Sequence, residues 1–237
     1  MIVFWSSCMT SLYLFCGGES YSGSGQSKPL DKIGRGMPLV SYHYEHVRAH
    51  FQKIVYLVEV HEIDLYKRLL PTGNSTQVNL IPVPQGSTTL EKLRVSAYFM
   101  DEKKASVSYP DIFSSDIFWQ DFDFDNFRLL QVPIKSRFPR VYTDNFVDQV
   151  KGVTNYQSRV PANPHFIFGG KFDFNVKNLH RMLKSYNDDS SNKKQGLEIS
   201  FFDFVAQHES MQVKTIYDPW FHVDSERDYK LMNEVYG

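Results

Sequence analysis

The segment at residues 53–60, Lys-Ile-Val-Tyr-Leu-Val-Glu-Val, is a nearly continuous run of apolar residues that is rich in β-branched side chains. A strand that faces water on one side alternates between apolar and polar residues, whereas a parallel strand covered by helices on both faces has a run of this kind. The segment therefore predicts a central strand of a parallel sheet. The rest of the chain has to supply helices for both faces of that sheet.

Strand-like and helix-like stretches alternate on both sides of this segment, which is typical of an α/β fold. Further strands are predicted at residues 11–16, 78–83, 105–109, 127–134, 138–142, 146–150, 166–168 and 211–217, the last at a sheet edge. Helices are predicted from Pro38 onward and at residues 62–70, 87–98, 179–186, 200–207 and 225–236. No repeat or long linker divides the sequence. We therefore expect one domain over residues 1–237, Rossmann-like, with a mixed, mainly parallel central sheet flanked by helices.

Charge and cysteine content limit the classes of partner and compartment. The 237 residues include 26 Lys and Arg against 27 Asp and Glu, a net charge of -1, which excludes the broad basic field of a non-specific nucleic-acid binder. Cys8 and Cys16 provide no disulfide framework and no metal-ligand spacing. Residues 1–16 lack the basic start of a signal peptide and are too short and polar to cross a bilayer. We expect a cytoplasmic protein with no nucleic-acid partner and no membrane insertion.

A glycine-rich stretch follows the first predicted strand. It begins at Gly17, contains four glycines and ends at Lys28. Glycines let backbone N–H groups converge on an anion, and a lysine adds a mobile positive charge for phosphate. The stretch matches neither the Gly-x-Gly-x-x-Gly motif nor a P-loop. Taken alone, it is equally consistent with a flexible connection.

The motifs that surround this stretch resemble, in order, those of the sugar-phosphate nucleotidyltransferases. Lys28-Pro-Leu, followed by Gly36-Met-Pro-Leu before a helix, is similar to the family's Lys-Pro segment and its Gly-Lys-Pro-Leu/Met segment. Pro84-Gln-Gly-Ser-Thr, just before another helix, is similar to the family's base-recognition segment. The matches continue to the end of the chain and cover nearly all of it.

Two acidic residues complete the resemblance. Asp111 follows the predicted strand at residues 105–109, where the family has Gly-Asp, with Pro110 in place of the glycine. Residues 220–229, Trp-Phe-His-Val-Asp-Ser-Glu-Arg-Asp-Tyr, are similar to the family's Trp-x-Asp-(Val/Ile)-(Asp/Gly)-Thr-x-Glu-Asp-Tyr segment. Within this segment Asp224 is the best match to the second metal-binding aspartate.

The resemblance implies nucleotidyl transfer from a nucleoside triphosphate to a sugar phosphate or similar small phosphorylated alcohol, with release of pyrophosphate, for activated-sugar and surface-polysaccharide precursors. Lys28, Asp111 and Asp224 would be catalytic, and the two aspartates would hold Mg²⁺. Lys151 would contact the sugar phosphate as the family's second lysine. The implied nucleotide-binding residues are Cys16, Gly17, Gly18, Glu19, Ser20, Gln85, Gly86, Ser87 and Thr88.

One departure from the family concerns the leaving group. The family's loop normally has Gly-Ser/Thr-Arg, with the arginine on the departing pyrophosphate. Residues 19–24 contain no Arg or Lys, and Glu19 is negative. Loss of such a cation weakens leaving-group stabilisation in phosphoryl transfer. We expect Lys32 or Arg35 to point toward the loop and replace it.

Two other functions stay open at this stage. A glycosyltransferase of similar fold would consume a nucleotide sugar, and a nucleotide-binding module with a decayed site would have no activity. Asp121-x-Asp123-x-Asp125 could mimic the Asp-x-Asp of glycosyltransferases, but it does not follow a strand, so we interpret it as a solvated acidic turn.

Three histidines on the first predicted helix have a spacing that could suit a metal. His43, His46 and His50 would lie on one helix face, but no cysteine or carboxylate cluster accompanies them. We therefore interpret them as packed or exposed histidines.

Overall fold

The computed structural model describes residues 11–18, 20, 23, 25–34, 36–71, 77–120, 124–133, 141–143, 149–150, 153–155, 166–188, 201–218 and 220–236. The strands in these residues are β1 Ser11–Phe15, β2 Lys32–Ile33, β3 Met37–Pro38, β4 Lys53–Glu59, β5 Gln77–Val83, β6 Lys104–Ser108, β7 Ile112–Ser114, β8 Phe127–Pro133, β9 Val141–Thr143, β10 Gln149–Val150, β11 Val153–Asn155, β12 Phe166–Asn175, β13 Met211–Thr215 and β14 Trp220–His222. The helices are α1 Leu39–Val47, α2 Ile63–Leu69, α3 Thr89–Ala97, α4 Asp116–Trp119, α5 Val176–Asp188, α6 Phe202–His208 and α7 Glu226–Tyr236.

The main sheet has the strand order β10-β13-β8-β12-β6-β1-β4-β5, with β9 and β11 paired beside β12. β1 is parallel to β4 and to β6, and β4 is parallel to β5. β12 runs antiparallel to both of its neighbours, β6 and β8. The predicted α/β fold, with a mixed and mainly parallel central sheet, is confirmed.

Strand β1 shows why this sheet needs helices on both faces. Leu12 and Leu14 are buried in the core on one face, whereas Tyr13 and Phe15 are buried in the core on the other. Helices α1, α2 and α4 contribute to the first core, and α3, α5 and α6 contribute to the second. Each helix buries its apolar stripe against the sheet, which is the arrangement that a doubly covered strand requires.

Two strands differ from the sequence-based expectation. β12 extends to Asn175, beyond the predicted end at residue 168, and its register with β8 shifts between Phe168 and Phe172. A Gly-Gly pair is typical of a turn, but the strand continues through Gly169 and Gly170. Position 170 requires glycine, because its φ is +87° and a Cβ there would lie 2.0 Å from Ile112 Cδ1. β13 is not at the edge, because it pairs with both β8 and β10.

The three histidines that were predicted to share a helix have different partners, and only His43 and His46 lie on α1, whereas His50 follows its end. His43 is fully buried, and its ring lies 5.4 Å from that of Trp119. His46 Nε2 contacts the carbonyl oxygen of Ser114, and His50 Nε2 lies 3.2 Å from a carboxylate oxygen of Asp116. Among the described residues the three side chains therefore contact separate partners, and His43 is packed in the core.

Burial makes His43 an acid-sensitive point of the fold. Desolvation, with a smaller contribution from His46, lowers the pKa of His43 to about 3. In the unfolded chain its pKa is near the usual 6.5, so between these values the unfolded state binds more protons and stability falls as the pH falls.

We expect the free energy of unfolding to drop by about 1 kcal/mol through His43 alone between neutral pH and about pH 5.5. Urea unfolding of the His43→Phe variant, which keeps an aromatic ring but cannot titrate, should show an acid-induced loss smaller by that amount. The exposed His180→Ala variant is the control. Equal pH dependence in the wild type and His43→Phe would contradict the prediction.

No helix in the described part of the chain is long and apolar enough to cross a membrane.

The acidic turn was predicted at residues 121–125. Asp125 is exposed, while Asp121 and Asp123 lie outside the described residues.

Candidate active site

The parallel strands β1, β4, β5 and β6 all end at the same edge of the sheet. The chain passes from β1 to β4 and β5 on one side and then places β6 on the other side of β1. In open α/β sheets, ligands bind in the crevice at such a reversal of strand order. The glycine-rich loop follows β1, and Asp111 follows β6, so both border this crevice.

The glycine-rich loop leaves β1 at Cys16, whose N–H donates to the carbonyl oxygen of Leu57 at 3.1 Å. Gly18 has a φ of +87°, a conformation that residues with a Cβ rarely adopt. The Lys28 N–H donates to the Gly18 carbonyl at 3.0 Å and closes the loop at its base. The start and end of the loop are therefore joined directly.

Two buried carboxylates hold the loop from outside. The N–H and the hydroxyl of Ser27 each donate to Glu62 at 2.5 Å, and Glu62 is only 2% exposed. The Ser20 hydroxyl donates to the carboxylate of buried Asp31. Sequence reasoning missed Glu62, because nothing in its local pattern distinguishes it from a surface glutamate.

Lys28, Asp111 and Asp224 come together at this loop. Lys28 Nζ lies 2.5 Å from Asp111 Oδ2 and 3.6 Å from Asp224 Oδ1. It also donates to the Val223 carbonyl at 3.0 Å. The structure thus places all three residues that were predicted to be catalytic in one cluster, in which Lys28 and Asp111 are buried and Asp224 is partly exposed.

A short strand pair explains how two aspartates so far apart in sequence meet. β7, directly after Asp111, pairs antiparallel with β14, directly before Val223, so that Ile112 lies opposite His222. The Val223 N–H then donates to the Asp111 carbonyl at 3.0 Å. This pairing carries Asp224 to the carboxyl edge of the main sheet.

The cluster keeps Asp111 ionised. Burial alone would raise the pKa of Asp111, but the positive charge of Lys28 and the nearby His222 hold it well below its usual range. His222 Nε2 lies 3.4 Å from Asp111 Oδ2 and 4.0 Å from Asp224 Oδ1. In the sequence, His222 is only one residue of the matched segment at residues 220–229, and no role was predicted for it.

Lys28 and His222 both lie against the same carboxylate oxygen of Asp111, Oδ2. Asp111 Oδ1 is buried and has no hydrogen-bond partner among the described residues. In that part of the chain no group of three or more His, Cys, Asp or Glu side chains could enclose a metal ion. Mg²⁺ is commonly held by only one or two carboxylates together with substrate phosphates. Asp111 and Asp224 fit that donor set.

The segment predicted to face the base lies between β5 and α3. Gln85 is exposed, and the Gly86 N–H donates to Glu59 Oε1 at 3.0 Å. The Ser87 hydroxyl donates to the Pro84 carbonyl at 2.7 Å. Thr88 is the N-cap of α3 and forms a capping box with Glu91. Gln85 therefore has an exposed side chain, whereas the Ser87 hydroxyl is bonded within the segment and Thr88 is engaged in starting the helix.

Of the four remaining candidate residues, the structure describes only Lys32. Glu19, Lys151 and Arg35 lie outside the described residues. The Lys32 side chain is exposed on the small β2–β3 pair, where its carbonyl accepts from the Tyr229 hydroxyl. In the part of the chain that is described, no contact joins the Lys32 side chain to the glycine-rich loop.

Comparison of the sequence with protein-family models and with curated proteins finds no match. Solved structures do match over nearly the whole chain. The inositol-1-phosphate CTP transferase of T. maritima has 14% identity and a TM-score of 0.74, covering 96% of each chain. HddC from Yersinia pseudotuberculosis has 14% identity and a TM-score of 0.70, covering 96% of this chain and 99% of that one.

UTP-bound UGPase from Acinetobacter baumannii is similar at 13% identity and a TM-score of 0.69, covering 97% of this chain and 93% of that one. The predicted fold, that of the sugar-phosphate nucleotidyltransferases, is therefore confirmed.

Proposed function

We propose that the chain is a nucleotidyltransferase that acts on a small phosphorylated substrate. A phosphate oxygen of the acceptor attacks the α-phosphorus of a nucleoside triphosphate. The bond from that phosphorus to the bridging oxygen of the β-phosphate breaks, and the electron pair leaves with pyrophosphate. The product joins the nucleoside monophosphate to the acceptor through a new diphosphate linkage.

The observation that most supports this proposal is the position of Lys28. Its ammonium lies between Asp111 and Asp224 at the base of a glycine-rich loop, on a fold shared with nucleotidyltransferases. Transfer of a nucleotidyl group needs positioning and charge neutralisation more than covalent help. A buried cation, two carboxylates and a glycine-rich loop provide the groups for both.

Each group has a separate task in this proposal. Backbone N–H groups of the loop would bind phosphate oxygens, as glycine-rich turns do. A Cβ at Gly18 would lie 3.6 Å from Lys28 Cε, so the lysine side chain borders the loop and its ammonium can reach a phosphate held there. Asp111 and Asp224 would hold Mg²⁺, which when bound neutralises phosphate charge. Gln85 would face the base.

The solved structures indicate the class of acceptor to test. They include an inositol-1-phosphate CTP transferase, a putative glucose-1-phosphate thymidylyltransferase and a CTP:phosphocholine cytidylyltransferase. The acceptors in these names are phosphate monoesters of a sugar, a cyclic polyol or an amino alcohol. We propose an acceptor of the same chemical class, and with it a product used as an activated precursor for surface polysaccharides.

The test has two stages. ATP, CTP, GTP, UTP and dTTP are screened with Mg²⁺ by thermal unfolding, where we expect one of them to raise the melting temperature by several degrees because it binds the folded state. That nucleotide is then combined with a panel of sugar 1-phosphates and amino-alcohol phosphates. A coupled pyrophosphatase assay should detect pyrophosphate with at least one acceptor.

Other outcomes assign the protein to a different class. Tight nucleotide binding without pyrophosphate release from a broad acceptor panel would indicate a binding module. Transfer or hydrolysis of a nucleotide sugar would indicate a glycosyltransferase. Either result would overturn the proposed reaction while leaving the fold unchanged.

A further inference from the structure

A second lysine borders the glycine-rich loop from the opposite element. Lys92 lies one turn into α3 and is 5% exposed. Its Nζ donates a hydrogen bond to the Cys16 carbonyl, and a Cβ at Gly17 would lie 2.7 Å from this nitrogen. The ammonium of Lys92 is therefore packed against the first residues of the loop.

The charges around the loop distinguish Lys92 from Lys28. Lys28 is paired with both Asp111 and Asp224, whereas Lys92 has no carboxylate within ion-pair distance among the described residues. Burying an ammonium is costly unless an anion or several acceptors compensate it. Burial accordingly lowers the pKa of Lys92, although the surrounding glutamates Glu59, Glu62 and Glu91 limit the shift.

The location in the helix adds to this cost. Lys92 is in the first turns of α3, where the helix dipole disfavours a positive charge. The capping box of Thr88 and Glu91 fixes the start of the helix and so fixes where this lysine enters the crevice. A hydrogen bond to one carbonyl does not require a charged donor. An anionic ligand at the loop would account for the charge.

We propose that Lys92 is a nucleotide-binding residue whose ammonium contacts the phosphate chain at the glycine-rich loop. The inference rests on the proposed nucleotidyltransferase function. Residues 19–24 contain no Arg or Lys. In this proposal the cation at the loop comes from Lys92 on α3 and not from Lys32. The same helix follows the segment at residues 84–88, so one element would connect base and phosphate contacts.

The test compares ligands that differ in phosphate content. The triphosphate that stabilises the wild type, and the nucleoside with the same base, are titrated into wild-type protein and the Lys92→Met and Lys92→Gln variants by calorimetry. Gln keeps a donor for the Cys16 carbonyl without the charge. We expect both variants to bind the triphosphate at least about tenfold more weakly, while nucleoside affinity changes by less than about threefold.

The exposed Lys67→Met variant, on α2, is the control and should bind both ligands like the wild type. Triphosphate affinity unchanged in Lys92→Gln, or an equal loss for both ligands, would overturn the proposal. Failure of both Lys92 variants to fold would assign the lysine to the fold and overturn it as well. A wild type that binds no triphosphate would instead refute the proposed function itself.

Discussion

The Asp111→Asn variant is expected to lose pyrophosphate release by on the order of a thousandfold. Asparagine preserves the size of the side chain but removes the charge that faces Lys28 at 2.5 Å and the carboxylate oxygen that has no partner among the described residues. Asp224→Asn should have an effect of similar size, because its carboxylate shares the same lysine. The coupled pyrophosphatase assay on purified variants measures both losses.

The loss has to be separated from unfolding, because Asp111 is buried and removing one partner of a buried ion pair is destabilising. Thermal unfolding should show that both variants remain folded at the assay temperature, with a lower melting temperature for Asp111→Asn. The exposed Asp116→Asn variant, at the start of α4, is the control and should retain full activity. Activity above a tenth of the wild-type level in Asp111→Asn would remove this carboxylate from the mechanism.

The regular part of the fold could be predicted because its strands and helices are long enough to show a period. β4 extends over seven residues that are almost all apolar, and α1 has Leu39, Val40, Tyr44 and Val47 on one buried face, as its pattern predicts. β12 was missed in part because its Gly169-Gly170 pair has the composition of a turn. The close approach of Ile112, which requires the glycine, is a contact between distant parts of the chain.

The candidate site also has residues that could be predicted from the sequence and residues that could not. Lys28, Asp111 and Asp224 could be predicted because each occurs in a motif. These motifs follow one another in the same order as the motifs that they resemble in the sugar-phosphate nucleotidyltransferases. The contacts of Glu62, His222 and Lys92 could not be predicted, because they depend on tertiary neighbours. The pairing of β7 with β14 involves only three residues in each strand, too few for a periodic pattern.

Lys92 shows most clearly that a sequence pattern does not reveal contacts between distant parts of the chain. In the sequence it follows Glu91 and precedes Leu93, and this pattern is typical of a lysine at the solvent boundary of an amphipathic helix. Only the packing of α3 against the end of β1 shows that the side chain is buried at Gly17. Of the two cations expected to replace the missing arginine, Arg35 lies outside the described residues, and the exposed Lys32 side chain forms no hydrogen bond or ion pair with the described part of the loop.

The Lys28→Ala variant is expected to reduce the turnover number by on the order of a hundredfold or more, with a smaller effect on nucleotide affinity. The charge of Lys28 would act mainly on the negative charge that develops as pyrophosphate leaves, so its loss should raise the barrier more than it weakens binding. Initial rates at varied nucleotide concentration separate the two effects. The exposed Lys67→Ala variant should behave like the wild type.

The same variant tests why Lys28 is buried between two aspartates. Without the ammonium, Asp111 and Asp224 are left close together as like charges, which disfavours the ionised pair and favours any cation that can replace Lys28. We therefore expect Mg²⁺ alone, without nucleotide, to raise the melting temperature of Lys28→Ala more than that of the wild type. An unchanged turnover number would exclude Lys28 from catalysis. A loss of turnover without the larger response to Mg²⁺ would leave its catalytic role but show that the two carboxylates do not form a cation site.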